Sequence, residues 1–410
     1  MVPRRTVGLL ALSLSACVVH RGPSWERAPE LPQASGEFAI VVVGNPGAPG
    51  RHARHVAGQV AEVLAGERAA GRKATVLWLG DLVMPEHPDR GERCASVEGA
   101  WSREGSQDLA QTVREHVSAG GASYAVLGPD DRRCGLDEAL RQSGDGPHPW
   151  QMPDDHYVVR VAADGSTAVV STCDDAGCRV RPAPADARLD LVIVDATVWT
   201  DPAPSGPARA RAEASQHRLE QLVDAATIGE GPPRILVSAV PVETAGMHGH
   251  GGRGSQATWH NLPPALAAAL SRGAFAGSIG AYDRALSASA DISDAIRRSD
   301  AHWVQRPIFQ VVSGSASWPD ARAAAAGRRL EYFRGNAYRP EVYSDHAGFV
   351  VLHSRSEDTL GADLWARRHG KWQRQQVGLA LRPAPHPKTT ASPITAPCLR
   401  CDPVPGSHRP

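Results

Sequence analysis

The residues best able to do chemistry in this chain stand at the ends of apolar runs. Thr75-Val76-Leu77-Trp78-Leu79 ends on Gly80-Asp81. A buried strand that ends on Gly-Asp can hand a carboxylate to a metal ion. Ser123 to Leu127 ends on Gly128-Pro129-Asp130-Asp131. Carboxylates brought close to Asp81 could act as general acid or base, with like charge raising a pKa. Met247-His248-Gly249-His250-Gly251-Gly252 is a His-x-His in a glycine loop. In an extended loop alternate side chains share a face, so both rings could meet one ion, with Asp81, Asp130 or Asp131 beside them. Each feature also has a plainer reading. Asp81 could serve the strand-end turn and accept loop N–H groups. Asp130 and Asp131 could form an exposed acidic turn paired to Arg132 or Arg133, and the histidines could sit in a solvated loop. Ser278 is not read as a nucleophile, because no G-x-S-x-G elbow surrounds it.

Strands and helices in alternation must position these groups. Phe38 to Val43 is a continuous apolar run, turned by Gly44-Asn45-Pro46-Gly47. Val56, Val60, Val63 and Leu64 then fall at helical spacing over residues 52–67. Strands follow at 75–79 and 123–127, with a helix marked by Leu109, Val113 and Val117 between them. Runs at 156–161 and 167–171 flank Ala-Asp-Gly, a hairpin signal. A buried strand at 189–195, a helix at 215–226 and a strand at 234–240 come next. A Pro-led helix follows at 263, then a short strand-like segment at 275–277. From 305 the pattern is β: 307–312, 348–352, 362–366 and 372–377. This order suggests two sheets with helices outside, in one domain.

The chain has 410 residues and zero formal net charge, which gives no push toward nucleic acid. Arg4 and Arg5 precede the apolar run Val7 to Leu14, and Leu14-Ser15-Ala16-Cys17 follows. This has the make-up of a secretory signal, and the run is too short to span a bilayer. Cys17 after Leu-Ser-Ala looks like a bacterial lipobox, so residues 1–17 are expected to be a lipoprotein signal with Cys17 lipidated. Residues 18–36 read as a tether, 37–380 as the folded domain, and 381–410 as a Pro-rich tail. Six further cysteines, Cys94, Cys134, Cys173, Cys178, Cys398 and Cys401, read as disulfide candidates in an exported chain. Cys173 and Cys178 could close a small loop, and Cys94 and Cys134 could join neighbouring loops.

The colinear order of strand-end signals resembles the calcineurin-like metallophosphoesterases, and within them the purple acid phosphatase type. The matching segments are Gly44-Asn45-Pro46-Gly47, Gly80-Asp81-Leu82-Val83-Met84, Gly128-Pro129-Asp130-Asp131, Val237-Ser238-Ala239-Val240-Pro241 and Ala276-Gly277-Ser278-Ile279-Gly280. Trp150-Gln151-Met152-Pro153 with Tyr157, the Asp195-ended strand, and Gly246-Met247-His248-Gly249 agree too. The resemblance implies a four-layer α/β/β/α sandwich of two mixed sheets flanked by helices. It also implies hydrolysis of phosphate esters by two metal ions about 3.5 to 4 Å apart, iron, zinc or manganese, which activate a water. Carried over position by position, the metal shell is depleted. Asp81 keeps the bridging carboxylate, and Asn45 keeps an oxygen without the charge. Met84 stands for a Tyr, Pro129 for an Asn, Ala239 (or Val240) for a His, and Ser278 and Gly280 for the last two His. Asp130 stands where the resemblance places the His that assists the leaving group.

One carboxylate and one amide cannot hold two dications. The sequence therefore points to a degenerate, non-catalytic metallophosphoesterase-like lipoprotein of the bacterial envelope, outer membrane by preference. Such a protein would have no cofactor and touch the membrane through its lipid alone. Its partner would be an envelope protein or a small phosphorylated ligand. The alternative is an active hydrolase with a rearranged metal site built from Asn45, Asp81, His248 and His250. A third reading is a structural lipoprotein whose old cleft is filled by side chains.

Overall fold

The computed structural model describes residues 36–47, 51–83, 101, 105–134, 140, 148–174, 177–181, 186–197, 207–227, 231–242, 264–281, 285–293, 307–314, 316 and 340–381. Cys17, Cys94, His248, His250, Cys398 and Cys401 lie outside the described residues, as do the signal segment and nearly all of the tether and tail.

In chain order the elements are β1 (Phe38–Gly44), α1 (Arg51–Ala69), β2 (Lys73–Leu79), α2 (Ser106–Ser118), β3 (Ala122–Val126), α3 (Pro129–Arg133), β4 (His156–Ala162), β5 (Thr167–Asp174), β6 (Gly177–Val180) and β7 (Ala187–Val194). They continue as α4 (Pro207–Thr227), β8 (Arg234–Ser238), α5 (Pro264–Ser271), β9 (Gly277–Gly280), β10 (Leu286–Ser289), β11 (Phe309–Ser313), β12 (Val342–Ser344), β13 (Gly348–Ser356), β14 (Thr359–Arg368) and β15 (Lys371–Ala380).

The first sheet has the order β15-β14-β13-β1-β2-β3. Its β1-β2-β3 half is parallel, and β13-β14-β15 is an antiparallel wing joined to β1 by β13. The second sheet runs β12-β10-β11-β9-β8-β7-β4-β5-β6, parallel across β7-β8-β9-β11 and antiparallel elsewhere. Alternation along each strand sorts side chains to two cores. Leu191, Ile193, Ile235 and Val237 join the core shared with β1 and β13, while Val192, Val194 and Leu236 meet Leu219, Leu222 and Val223 of α4 and Leu266 and Leu270 of α5. Val56, Val60 and Leu64 of α1 and Leu109 and Val113 of α2 cover the first sheet. The result is the four-layer α/β/β/α sandwich that the sequence implies.

Some elements differ from the sequence reading. The segment expected to be strand at 275–277 is strand at Gly277–Gly280 instead. Phe275 turns into the second core, and Gly277 pairs with Phe309, whose ring lies 2.3 Å from where a Cβ would stand. β6, β10 and β12 are additional short strands. The Cys173–Cys178 disulfide bridges directly paired residues of β5 and β6. Cys134 is also disulfide-bonded, to a partner outside the described residues.

Candidate functional site

The parallel strands β1, β2, β3 and β8 end on one edge, the place where open α/β sheets hold ligands. β1 hands over to Asn45 and β2 to Gly80-Asp81. Asn45 (φ 51°), Gly80 (φ 62°) and Asp81 (φ 48°) all adopt the left-handed region. That conformation is unusual for a residue with a side chain, and Asn and Asp tolerate it best. Here it lets two consecutive strand ends turn sharply toward each other: Asn45 N–H donates to Leu79 O at 3.2 Å, and Gly47 N–H donates to Asp81 O at 2.9 Å. Asn45 Nδ2 donates across the molecule to Gly314 O at 2.9 Å, and Ser313 Oγ donates to Val42 O at 2.8 Å. The ends of β1 and β11 are thus tied together.

The turns at these ends, the crest, pack closely on one another. A Cβ on Gly80 would stand 2.5 Å from the Ala239 Cβ and 2.8 Å from the Gly128 Cα. A Cβ on Gly128 would stand 2.1 Å from the Asp81 nitrogen and 2.5 Å from its Oδ1. One on Gly280 would meet Pro241 at 2.7 Å. The small residues Gly80, Gly128, Ala239 and Gly280 therefore let the turns pack on one another. Asn45, Asp81, Asp130, Asp131, Ala239 and Ser278 are all buried.

Asp81 and Asp131 are held by backbone. Asp81 Oδ1 accepts the Asp130 N–H at 2.9 Å. Asp131 Oδ2 accepts the Gly128 N–H at 2.8 Å and its Oδ1 the Val83 N–H at 2.8 Å, bracing the turn after β3 against the turn after β2. Burial raises the Asp131 carboxyl to about 7, against the pull of the N–H groups of Gly128, Val83 and Leu82. The exposed acidic turn considered from the sequence is not formed. Asp131 is fully buried, and the neighbouring Arg132 reaches elsewhere.

Arg132 pairs with Asp195, just after β7, through Nε at 2.9 Å, and with Asp155 at 3.3 Å. Arg218 of α4 meets the same Asp155 at 3.1 Å. Thr197 N–H donates to Asp195 Oδ1 at 2.8 Å. Within this network Ser215, His156 and Asp195 resemble a nucleophilic triad but cannot work as one. His156 Nδ1 accepts the Asp195 backbone N–H at 3.3 Å, so the ring proton is assigned to Nε2, which lies 3.0 Å from Ser215 O and 2.9 Å from Ser215 Oγ. A ring that donates there cannot take the serine proton. All three residues are buried, and burial lowers the His156 pKa against the charges of Asp155 and Asp195. The sequence reading missed Asp155, His156, Ser215 and Arg218. The Arg132–Asp195 and Arg218–Asp155 pairs each span 63 residues, so no local spacing announces them.

The described donors do not fit a dimetal centre. At the positions that the resemblance assigns to metal ligands stand Asn45, Asp81, Pro129, Ala239, Ser278 and Gly280. Asp81 is the one ionisable ligand among them, and its Oδ1 is engaged by an N–H group. Ser278 lies inside β9, 3.4 Å from Gln310 Oε1. Among the described residues no group of three or more His, Cys, Asp or Glu is arranged to hold a metal ion. The expected donors His248 and His250 lie outside those residues, so the structure places neither of them near Asp81 nor away from it.

The chain is similar to solved structures to different degrees. GAP50, the anchor in the inner membrane complex of Plasmodium, aligns with TM-score 0.52 and 14% identity over 82% of this chain and 86% of that one. Purple acid phosphatase PPD1 from yellow lupin seeds aligns with TM-score 0.48 and 10% identity, over 84% of this chain and 53% of that one. A Vps29 mutant from Entamoeba histolytica aligns with TM-score 0.29 and 12% identity, over 83% and 99%. The chain shares its two-sheet α/β fold with the first of these. At these identities the likeness concerns the fold alone. No family model matches the chain, and no curated protein sequence matches it.

Proposed function

We propose that this chain is a non-catalytic metallophosphoesterase-like module that works by binding. One observation carries the reading: among the described ligand positions that the resemblance assigns, Asp81 is the one ionisable residue, and it accepts a backbone N–H where the turns pack closely. Fold likeness alone decides no function; the depleted donor set is the argument. That a neighbour of this fold is described as an anchor supports the reading at the level of fold. With Cys17 lipidated, the module would sit on the bacterial envelope, and its partner would be an envelope protein or a small phosphorylated ligand. Among the described residues no helix is long and apolar enough to cross a membrane, so the lipid would be its membrane contact.

Turnover of aryl phosphate mono- and diesters, with iron, manganese or zinc supplied, tests the reading. The module should give no rate above the metal-only blank, and Asp81→Ala should change nothing. A rate that disappears with Asp81→Ala would establish the hydrolase instead.

A further inference from the structure

A second concentration of charge lies at the other end of the first sheet. His353 of β13 pairs with Ala39 near the start of β1, whereas the crest begins after Gly44. About five residues of strand, roughly 16 Å, separate the two levels. The His353 ring stands between Glu67 of α1, 3.2 Å from Nε2, and Asp363 of β14, 3.4 Å from Nδ1. Arg72 grips Glu67 at 2.6 and 3.0 Å. Gln376 and Arg374 hold Asp363 at 2.7 and 3.4 Å. Burial works against a charged ring, but Asp363 and Glu67 outweigh it and raise the His353 pKa to about 9. Burial likewise works against the Glu67 charge, yet His353 and Arg72 lower it to about 2. Both carboxylates of the network are thus paired, by three cations.

Beside it a groove of about 380 Å³ opens between α1 and the antiparallel wing. That volume lies within the range of small-molecule sites. Glycines cut back its surroundings. A Cβ on Gly66 of α1 would meet nothing within 4 Å. On β14, Gly361 lies under the Arg355 guanidinium, whose Nε stands 2.4 Å from where a Cβ would be. Its cross-strand partner Gly378 also faces open space. Glycine inside a helix costs about 1 kcal/mol against alanine, and glycine inside a strand often marks close approach of a ligand. Trp365 adds partly buried apolar surface. On the sheet wall Arg355 is exposed, and on the helix wall Glu62 is exposed. Neither makes an ion pair or hydrogen bond among the described residues.

We propose that this groove binds a small zwitterion of the amino-acid or short-peptide class, with its carboxylate on Arg355, its ammonium on Glu62 and its side chain against Trp365. The planar fork of arginine matches a carboxylate. Arg355 and Glu62, one charge of each sign outside the network's own pairs, select a ligand that carries both. The site is remote from the crest and does not depend on whether metal chemistry was lost.

Calorimetric titration of the chain from residue 18 onward with glycyl-leucine and glycyl-tyrosine tests the proposal. Both should bind, and amidating the carboxyl end or acetylating the amino end should weaken each by about tenfold or more. Arg355→Ala should cost about the same. Gly66→Leu, which fills open space and favours the helix, should abolish binding while the melting temperature holds or rises. No heat at millimolar dipeptide would overturn the proposal. So would binding that survives Gly66→Leu, or acetate or inorganic phosphate binding as tightly as the dipeptides.

Discussion

At the crest, carboxylates are held by backbone N–H groups; at the groove, 16 Å or so down the same sheet, they are held by charged side chains. Backbone donors come fixed in the chain trace, so Asp81 and Asp131 bring the turns after β2 and β3 into contact. Side-chain donors stand away from the trace, so Glu67, His353 and Asp363 can neutralise one another while a groove stays open beside them. The contrast explains how one sheet carries tightly packed turns at one end and an open groove at the other.

The sharpest way to break this comparison is to add one methyl group at each end. Gly128→Ala should destabilise the protein by about 4 kcal/mol, because the new Cβ meets the Asp81 backbone. Chemical denaturation would show it; a loss below about 1 kcal/mol would mean that the crest is not packed as described.

Next in size is His353→Ala, which leaves Glu67 and Asp363 without the cation between them and should cost about 3 kcal/mol. Its pH dependence is specific. Glu67, lowered from 4.5 to about 2, stabilises the fold above pH 4.5 and loses this as pH falls toward 2. His353, raised from 6.5 to about 9, stabilises below pH 6.5 and loses this as pH rises through 9. The gap between wild type and variant should therefore be widest from about pH 4.5 to 6.5. A gap that is flat with pH would refute the ion network.

Asp131 should behave with the opposite slope on the acid side. Its pKa is raised from 3.8 to about 7, so its contribution is full below pH 3.8 and is lost as pH rises through 7. Asp131→Asn should cost about 1–2 kcal/mol by losing an acceptor, and should remove that decline. Urea midpoints across this pH range would separate the two groups. The smallest effect is Gly66→Ala, which should stabilise by about 0.5–1 kcal/mol, opposite in sign to the same change at Gly128.

Much of the fold was legible in the sequence because its buried strands are unbroken apolar runs and its helices repeat at helical spacing. β10 was not, since Leu286-Ser287-Ala288-Ser289 has neither β-branched residues nor contrast between its faces. At the crest, glycines and strand-end signals marked which residues meet, but sequence could not show that Asp131 would be buried rather than exposed. The groove network was invisible for a simpler reason: Glu67 and His353 are 286 residues apart. His353 lies in the polar continuation of a strand whose apolar part ends at Leu352.

Metal content tests the central claim most directly. The chain from residue 18 onward, made in an oxidising compartment, would be offered iron, manganese and zinc, freed of excess, and its ions counted by elemental mass spectrometry. The depleted donor set predicts close to zero ions per chain, unchanged by Asp81→Ala. One or two tightly held ions, lost with Asp81→Ala, would contradict the account and restore the hydrolase reading.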